Sequence, residues 1–234
     1  MYLFTNDLLN RYLAADPLFK SLAVATADEK HLQSHLWMIE SPAKRMIFWH
    51  IYKDLLMAET CHNFKVLDIG GGYSGLSKLI SQNCNYTLVD ILAHEDTRIV
   101  EKMVKDNKHD WVPAFWQEYT PEPCDLIICN DLFVNVDQSL ELFLKKYLPV
   151  CKKMRLSLTF HNTPKTYTLR DQVKDRKEIY TMMAWSGEQL RLLLNKHRDR
   201  IENFNTDILS SHDSVFGNGR QVCYVEFRGD RYEG

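Results

Sequence analysis

The sequence lacks most of the features that would assign a chain at a glance. Its six cysteines (Cys61, Cys84, Cys124, Cys129, Cys151, Cys223) form no CxxC pair and show no metal-ligand spacing. That speaks against a zinc module or a disulfide framework and for reduced thiols packed as small hydrophobes in a reducing cytosol. No excess of either charge is present: the net charge is −2, which gives no chain-wide footprint for nucleic acid. There is no long apolar run either. "MIFWHIYKDLLM" is interrupted by His50, Lys53 and Asp54 and is too short and polar to span a bilayer. The opening "MYLFTNDLLNRYLAADP" has no cationic stretch followed by an unbroken apolar core, so no secretory leader is expected and the cytoplasm is the expected location. Repeats and low-complexity tracts are also missing. The "NYT" at Asn85 and the "RGD" at 228–230 match short signals by chance on this reading.

What is present is ordinary in amount and informative in order. With 234 residues, 45% hydrophobic and 26% charged, the chain can bury a substantial core. Residues 1–62 read as a helical extension containing no strand. "TNDLLNRYLAA" opens on a capping cluster, "ADEKHLQSHLWMI" follows, and "SPAKRMIFWHIYKDLLMAE" carries Ser41 as N-cap and Pro42 at the first helical position. From residue 63 onward the texture becomes alternating β and α. Strands are expected at "KVLDI", "YTLVDI", "WVPAFWQ", "CDLIICND" and "MRLSLTFHN", with helices between them and at "SGEQLRLLLNKH". Such alternation implies a parallel sheet covered on both faces. "DRIENFNTDIL" and "RQVCYVEFRG" have no helix between them and are expected to pair as an antiparallel C-terminal hairpin.

Glycine is scarce, nine residues in all, yet Gly70, Gly71 and Gly72 are consecutive in "FKVLDIGGGYSGLSKLI". Glycines at a strand-to-helix turn let the chain bend sharply and let backbone amides approach a ligand. Gly70, Gly72 and Gly75 fit G-x-G-x-x-G, and Asp90 follows about twenty residues on. A dinucleotide, however, would set its pyrophosphate at this turn, where Asp68 would repel it. A ligand bearing an ammonium and a sulfonium would be attracted instead. The blander reading of Asp68 is a cap on the following loop, and that of Asn130–Asp131 a turn signal.

These motifs together resemble the class I S-adenosylmethionine-dependent methyltransferases over residues 64–228. "VLDIGGGYSG" is similar to their first motif, "YTLVDI" to the second and "CDLIICND" to the fourth-strand motif, while the terminal hairpin is similar to their antiparallel last strands. Within the family, "GGGYSGLSKLI", "LVD" and "NDLFVNV" look most like bacterial proteins assigned as sugar O-methyltransferases. The resemblance implies a Rossmann-like, mostly parallel seven-stranded sheet and S-adenosylmethionine as cofactor. It divides the chain into a lid or acceptor-side extension, 1–62, and a cofactor-binding domain, 63–234. Gly70, Gly71, Gly72 and Tyr73 would line the methionyl part, with Asp68 facing its amino group. Asp90 would accept the ribose hydroxyls and Ile91 would pack on adenine. Gln117 and Glu118 would reach the adenine amino group, and Asn130 would flank the sulfur.

An oxygen acceptor benefits from a general base at the carboxyl edge of the sheet. His161, Asp131 and His212 (with Asp213) are the candidates, in that order. The expected partner is a small-molecule or glycan acceptor, as in polysaccharide biosynthesis, and no metal cluster is evident. The basic run Lys165, Arg170, Lys174, Arg176 and Lys177 would face a phosphate or acidic sugar, or simply solvent. Other readings of the same residues are a methyltransferase for another small metabolite or an amine, an NAD-dependent oxidoreductase, and a non-catalytic subunit that keeps the fold.

Overall fold

The computed structural model describes residues 1–23, 28–57, 61–107, 110–133, 139–170 and 179–232. Among these residues a seven-stranded sheet runs in the order β1-β9-β6-β5-β2-β3-β4. Its members are β1 (Tyr2–Leu3), β2 (Cys61–Ile69), β3 (Cys84–Val89), β4 (Asp110–Val112), β5 (Cys124–Cys129), β6 (Cys151–Phe160) and β9 (Gln221–Arg228). The strands from β6 to β4 pair in parallel, whereas β9 is antiparallel to both β6 and β1. A separate antiparallel hairpin joins β7 (Lys165–Arg170) and β8 (Ile179–Ala184).

Helices α1 (Asn6–Leu13), α2 (Pro17–Ala23), α3 (Gln33–Glu40) and α4 (Pro42–Met57) precede β2. Helices α5 (Gly75–Asn83), α6 (Thr97–Asn107), α7 (Leu140–Tyr147) and α8 (Gly187–Asn195) lie between later strands. Their starts follow the sequence signals. Ser41 Oγ accepts the Lys44 amide at 3.3 Å with Pro42 opening α4, and Ser186 and Gln189 form a capping box on α8.

Strand alternation divides the core into two clusters, one on each face of the sheet. Val66, Leu126 and Ile128 pack with the N-terminal helices and α5, whereas Leu67, Ile127 and Cys129 pack with α7 and α8. The same alternation sends Asp68 to the side of α4.

Two expectations need correcting. The first sixty residues do contain a strand, Tyr2–Leu3, which covers the outer edge of β9. The segment 199–209 is not a hairpin partner: it forms two 3₁₀ turns, at Arg198–Arg200 and Asp207–Ser210, and its strand-type pairing with β9 is an isolated bridge, Ile201 to Phe227. Ile201 and Leu209 are buried, and Phe204 and Ile208 pack against the same core. The apolar residues of this segment are anchors, so their β-propensity is overridden by packing.

The order in which the chain adds strands reverses between the parallel neighbours β2 and β5, so a crevice opens beyond their carboxyl ends. Helix α3 is held beside it from two directions. The Glu95 carboxylate accepts the backbone amides of Gln33 and Ser34, both at 2.8 Å, and the Ser34 hydroxyl at 2.7 Å. Arg45, paired with Asp16, donates Nη1 to the carbonyls of Met38 and Ile39. Glu95→Ala removes an N-terminal anion from α3, so a loss of about 1 kcal/mol is expected. Urea denaturation checks this, with Glu95→Gln, which can still accept one bond, showing the smaller loss.

Candidate functional site

A cavity of about 230 Å³ occupies the crevice. The glycine loop after β2 (Gly70, Gly71, Gly72), Asp90 after β3 and Asn130 with Asp131 after β5 form its sheet side. Trp37 and Met38 from α3, and Lys44, Ile47 and Phe48 from α4, line it from the N-terminal helices. Ser157 of β6 and Arg220 before β9 complete the charged and polar wall.

The loop is shaped for close approach. Gly70 and Gly72 have φ of +68° and +69°, a region that disfavours side chains. A Cβ on Gly71 would lie 2.5 Å from Asp68 Oδ2. Asp68 cannot easily yield: it is 2% exposed, and its Oδ2 accepts the hydroxyls of Tyr52 at 2.9 Å and Tyr86 at 2.8 Å. Gly71→Ala is therefore expected to destabilise the fold by ~1–3 kcal/mol, as overpacking does. A thermal melt of the variant gives the answer.

Asp68 supports the loop from below. Its Oδ1 is buried with no hydrogen-bond partner among the described residues. Burial raises its pKa to about 7, partly countered by the two tyrosine hydroxyls. The folded protein therefore binds more protons than the unfolded chain between the ordinary carboxylate range and about pH 7. In that window the contribution of Asp68 to stability falls as pH rises. Denaturant unfolding from pH 4 to pH 7.5 is expected to show the wild type losing stability relative to Asp68→Asn; parallel profiles would contradict it.

Asp90 binds the loop and its own turn together. Its Oδ2 accepts the Gly72 amide at 3.0 Å, its Oδ1 accepts the Leu92 amide at 2.8 Å, and its carbonyl accepts Trp111 Nε1 at 2.8 Å. Burial raises its pKa, opposed by those two amides. Asp131 has φ +58°, and its amide donates to Ser157 Oγ at 2.8 Å, which in turn donates to Asn130 Oδ1 at 2.7 Å. Its carboxylate meets Arg220 Nη1 at 3.1 Å and Lys44 Nζ at 3.5 Å.

Of the residues named from sequence, Gly70, Gly71, Gly72, Asp90, Asn130 and Asp131 line one cavity, and Asp68 lies beneath its floor. Tyr73 is fully buried, while Ile91 is 38% exposed and outside the lining. Gln117 and Glu118 are exposed in a turn. His161 directly follows β6, but it is buried, exchanges backbone bonds with Trp185 and Gly187 and is absent from the lining. Burial, with Lys165 and Arg220 nearby, lowers its pKa. His212 is exposed with Nδ1 2.6 Å from Asn162 Nδ2, and Asp213 accepts the Asn6 amide at 3.2 Å. Arg170's side chain, Lys174, Arg176 and Lys177, and Val134–Asn135–Val136 of "NDLFVNV", lie outside what the structure describes. Among the described residues no three His, Cys, Asp or Glu side chains group as a metal site requires. No described helix is long and apolar enough to cross a membrane.

Lys44, Arg220, Ser157, His94 and Ser34 carried no sequence signal. Each is a lone polar residue brought in by a different element. Trp37 and Phe48 belong to the aromatics of the helical extension, with Trp49 and Tyr52, that the sequence offers either as sugar-stacking faces or as core, and both line the cavity.

Solved structures resemble this arrangement at low identity. The N-terminal domain of EvdMO1, crystallised in the presence of SAH and D-fucose, superposes with a TM-score of 0.52 at 13% identity, covering 77% of this chain and 80% of that one. The chain has the fold of the class I methyltransferases. Also similar are 1,6-didemethyltoxoflavin-N1-methyltransferase of Burkholderia thailandensis (TM-score 0.49, 13% identity, 95% and 87% covered) and magnesium protoporphyrin IX methyltransferase of Synechocystis PCC 6803 (0.48, 13%, 97% and 99%). No family model and no curated protein matches the sequence.

Proposed function

We propose that the chain is an S-adenosylmethionine-dependent methyltransferase acting on a hydroxyl of a sugar or glycan precursor. The observation that carries this is a bare glycine turn and two carboxylates, Asp90 and Asp131, lining one cavity at the sheet's switch point, with a third, Asp68, buried beneath its floor. The residues fit that cofactor. Asp68 keeps an unpartnered buried oxygen below the loop, which suits a cationic ligand and opposes a pyrophosphate. Asp90, ending β3, is the carboxylate suited to a cis-diol. The presence of D-fucose with the EvdMO1 domain is consistent with a sugar acceptor.

Bound S-adenosylmethionine supplies an activated methyl on a sulfonium, so the protein's task is mainly alignment. Asn130 and Asp131 would hold the acceptor hydroxyl in line, and Trp37 and Phe48 offer aromatic faces to a sugar ring. Asp131 is the candidate favoured as base because it lines the cavity. With that cofactor bound, the Asp131 carboxylate would hold the acceptor hydroxyl and take its proton as the oxygen gains the methyl group. His161 is left as a support of the β6 end.

A transfer assay with methyl-labelled S-adenosylmethionine against sugars, nucleotide sugars and glycan fragments tests the proposal. Label in a sugar ether supports it. Label in an amine product would redirect it to N-methylation, and binding without any transfer would favour a non-catalytic subunit.

A further inference from the structure

Two cations line the cavity from elements distant in sequence, Lys44 of α4 and Arg220 just before β9. They share one carboxylate, Asp131, at 3.5 Å and 3.1 Å. Arg220 is 9% exposed and its Nε–H is buried with no hydrogen-bond partner among the described residues. Its guanidinium lies over the Phe216 ring at 4.0 Å, which fixes the plane of the fork. Lys44 Nζ stands 4.7 Å from the Trp37 ring centre and is about one-third exposed to the cavity side.

A purely structural role accounts poorly for this set. The left-handed turn at Asp131 is already held through Ser157 and Asn130, and bracing its carboxylate needs only one cation. Two cations on one carboxylate exceed what bracing it requires, and a buried guanidinium donor left unpaired is costly. An oxyanion that reaches both cations accounts for the second cation and can satisfy the guanidinium, because guanidinium binds carboxylate and phosphate through two parallel bonds.

We infer that the acceptor carries an oxyanion, a phosphate or a carboxylate, gripped by Arg220 and Lys44 beside the hydroxyl to be methylated. The inference rests on the methyltransferase reading of the same site. It also gives Asp131 a second state. An acceptor oxyanion takes over the two cations, and the carboxylate is released toward the hydroxyl whose proton it accepts. Lys44 and Arg220 are thus specificity residues, distinct from the basic run at 165–177.

The test uses the full chain at low ionic strength and fixed pH 7.5, where screening is weak. Binding of S-adenosylhomocysteine is measured first by calorimetry. Inorganic phosphate, acetate and uncharged glucose are then titrated, followed by NMR, into both the loaded and the cofactor-free protein. Phosphate or acetate is expected to saturate while glucose binds no better than either. Arg220→Gln and Lys44→Gln should each weaken the anion by ~10-fold or more, the usual scale of a hydrogen bond to a charged group. Asp131→Asn should tighten it, because the carboxylate competes with the anion for both cations. Preference for phosphate marks a phosphorylated acceptor, and preference for acetate a carboxylated one. No saturation by either anion, equal binding by Lys44→Gln and wild type, or no tightening in Asp131→Asn would each overturn the inference. Lys44 is partly exposed, so its variant decides the matter even if Arg220→Gln folds poorly. Failure of S-adenosylhomocysteine to bind would sink the methyltransferase reading, while the cofactor-free titration still judges the cation pair.

Discussion

On the proposed function, Asp131→Asn is expected to lower methyl transfer by ~10²–10⁴-fold, the range for loss of a positioned general base, and to leave S-adenosylmethionine affinity nearly unchanged. The substitution keeps the shape of the side chain and an oxygen for Arg220 Nη1, which now sits 3.1 Å away. The backbone is expected to hold too, because asparagine tolerates the left-handed φ of +58° and the amide still donates to Ser157 Oγ. What disappears is the capacity to take a proton. Single-turnover rates with the acceptor identified by the transfer assay measure this, and a rate close to that of the wild type would remove Asp131 as the base.

On the same proposal, Asp90→Ala is expected to weaken S-adenosylmethionine binding by at least ~100-fold, since more than one hydrogen bond to a charged group is lost at once. The carboxylate accepts the amides of Gly72 and Leu92, so its removal frees the glycine turn from the end of β3 as well as deleting the proposed ribose contact. Asp90→Asn keeps an acceptor for one amide and is expected to fall between the two. Calorimetry on the three proteins sets the order. An Asp90→Ala variant with affinity close to wild type would show that the cofactor does not reach this carboxylate.

The parts of the molecule that were legible are those where local pattern and tertiary role agree. "KVLDI" and "CDLIIC" are buried on both faces, as continuous apolar runs in parallel strands must be, and "GGG" can serve little else than a tight turn. The C-terminal region misled because Ile201, Phe204 and Ile208 have the composition of a strand but act as plugs into the core. The two-residue strand at Tyr2–Leu3 is too short to carry any period, and its existence depends on the exposed edge of β9. In the site, Asp90 and Asp131 could be read because they follow β3 and β5 at the crevice, whereas Asp68, within β2, turns to Tyr52 and Tyr86 beneath the floor. Lys44 and Arg220 could not be read, because they are separated by 176 positions and only the fold brings them to the same aspartate. His161 shows the opposite failure: its position along β6 was clear, but strand-end placement does not determine whether a side chain faces the cavity or the core.

On the proposed function, a glycine turn flanked by acids receives a cationic sulfur nucleoside and rejects a dinucleotide. The most direct measurement is a pair of calorimetric titrations of the wild-type protein, one with S-adenosylmethionine and one with NAD. The account predicts one-to-one binding of S-adenosylmethionine with a dissociation constant in the ~1 μM to 1 mM range typical of enzyme ligands, and no saturable heat with NAD. Saturable binding of NAD with none for S-adenosylmethionine would contradict it.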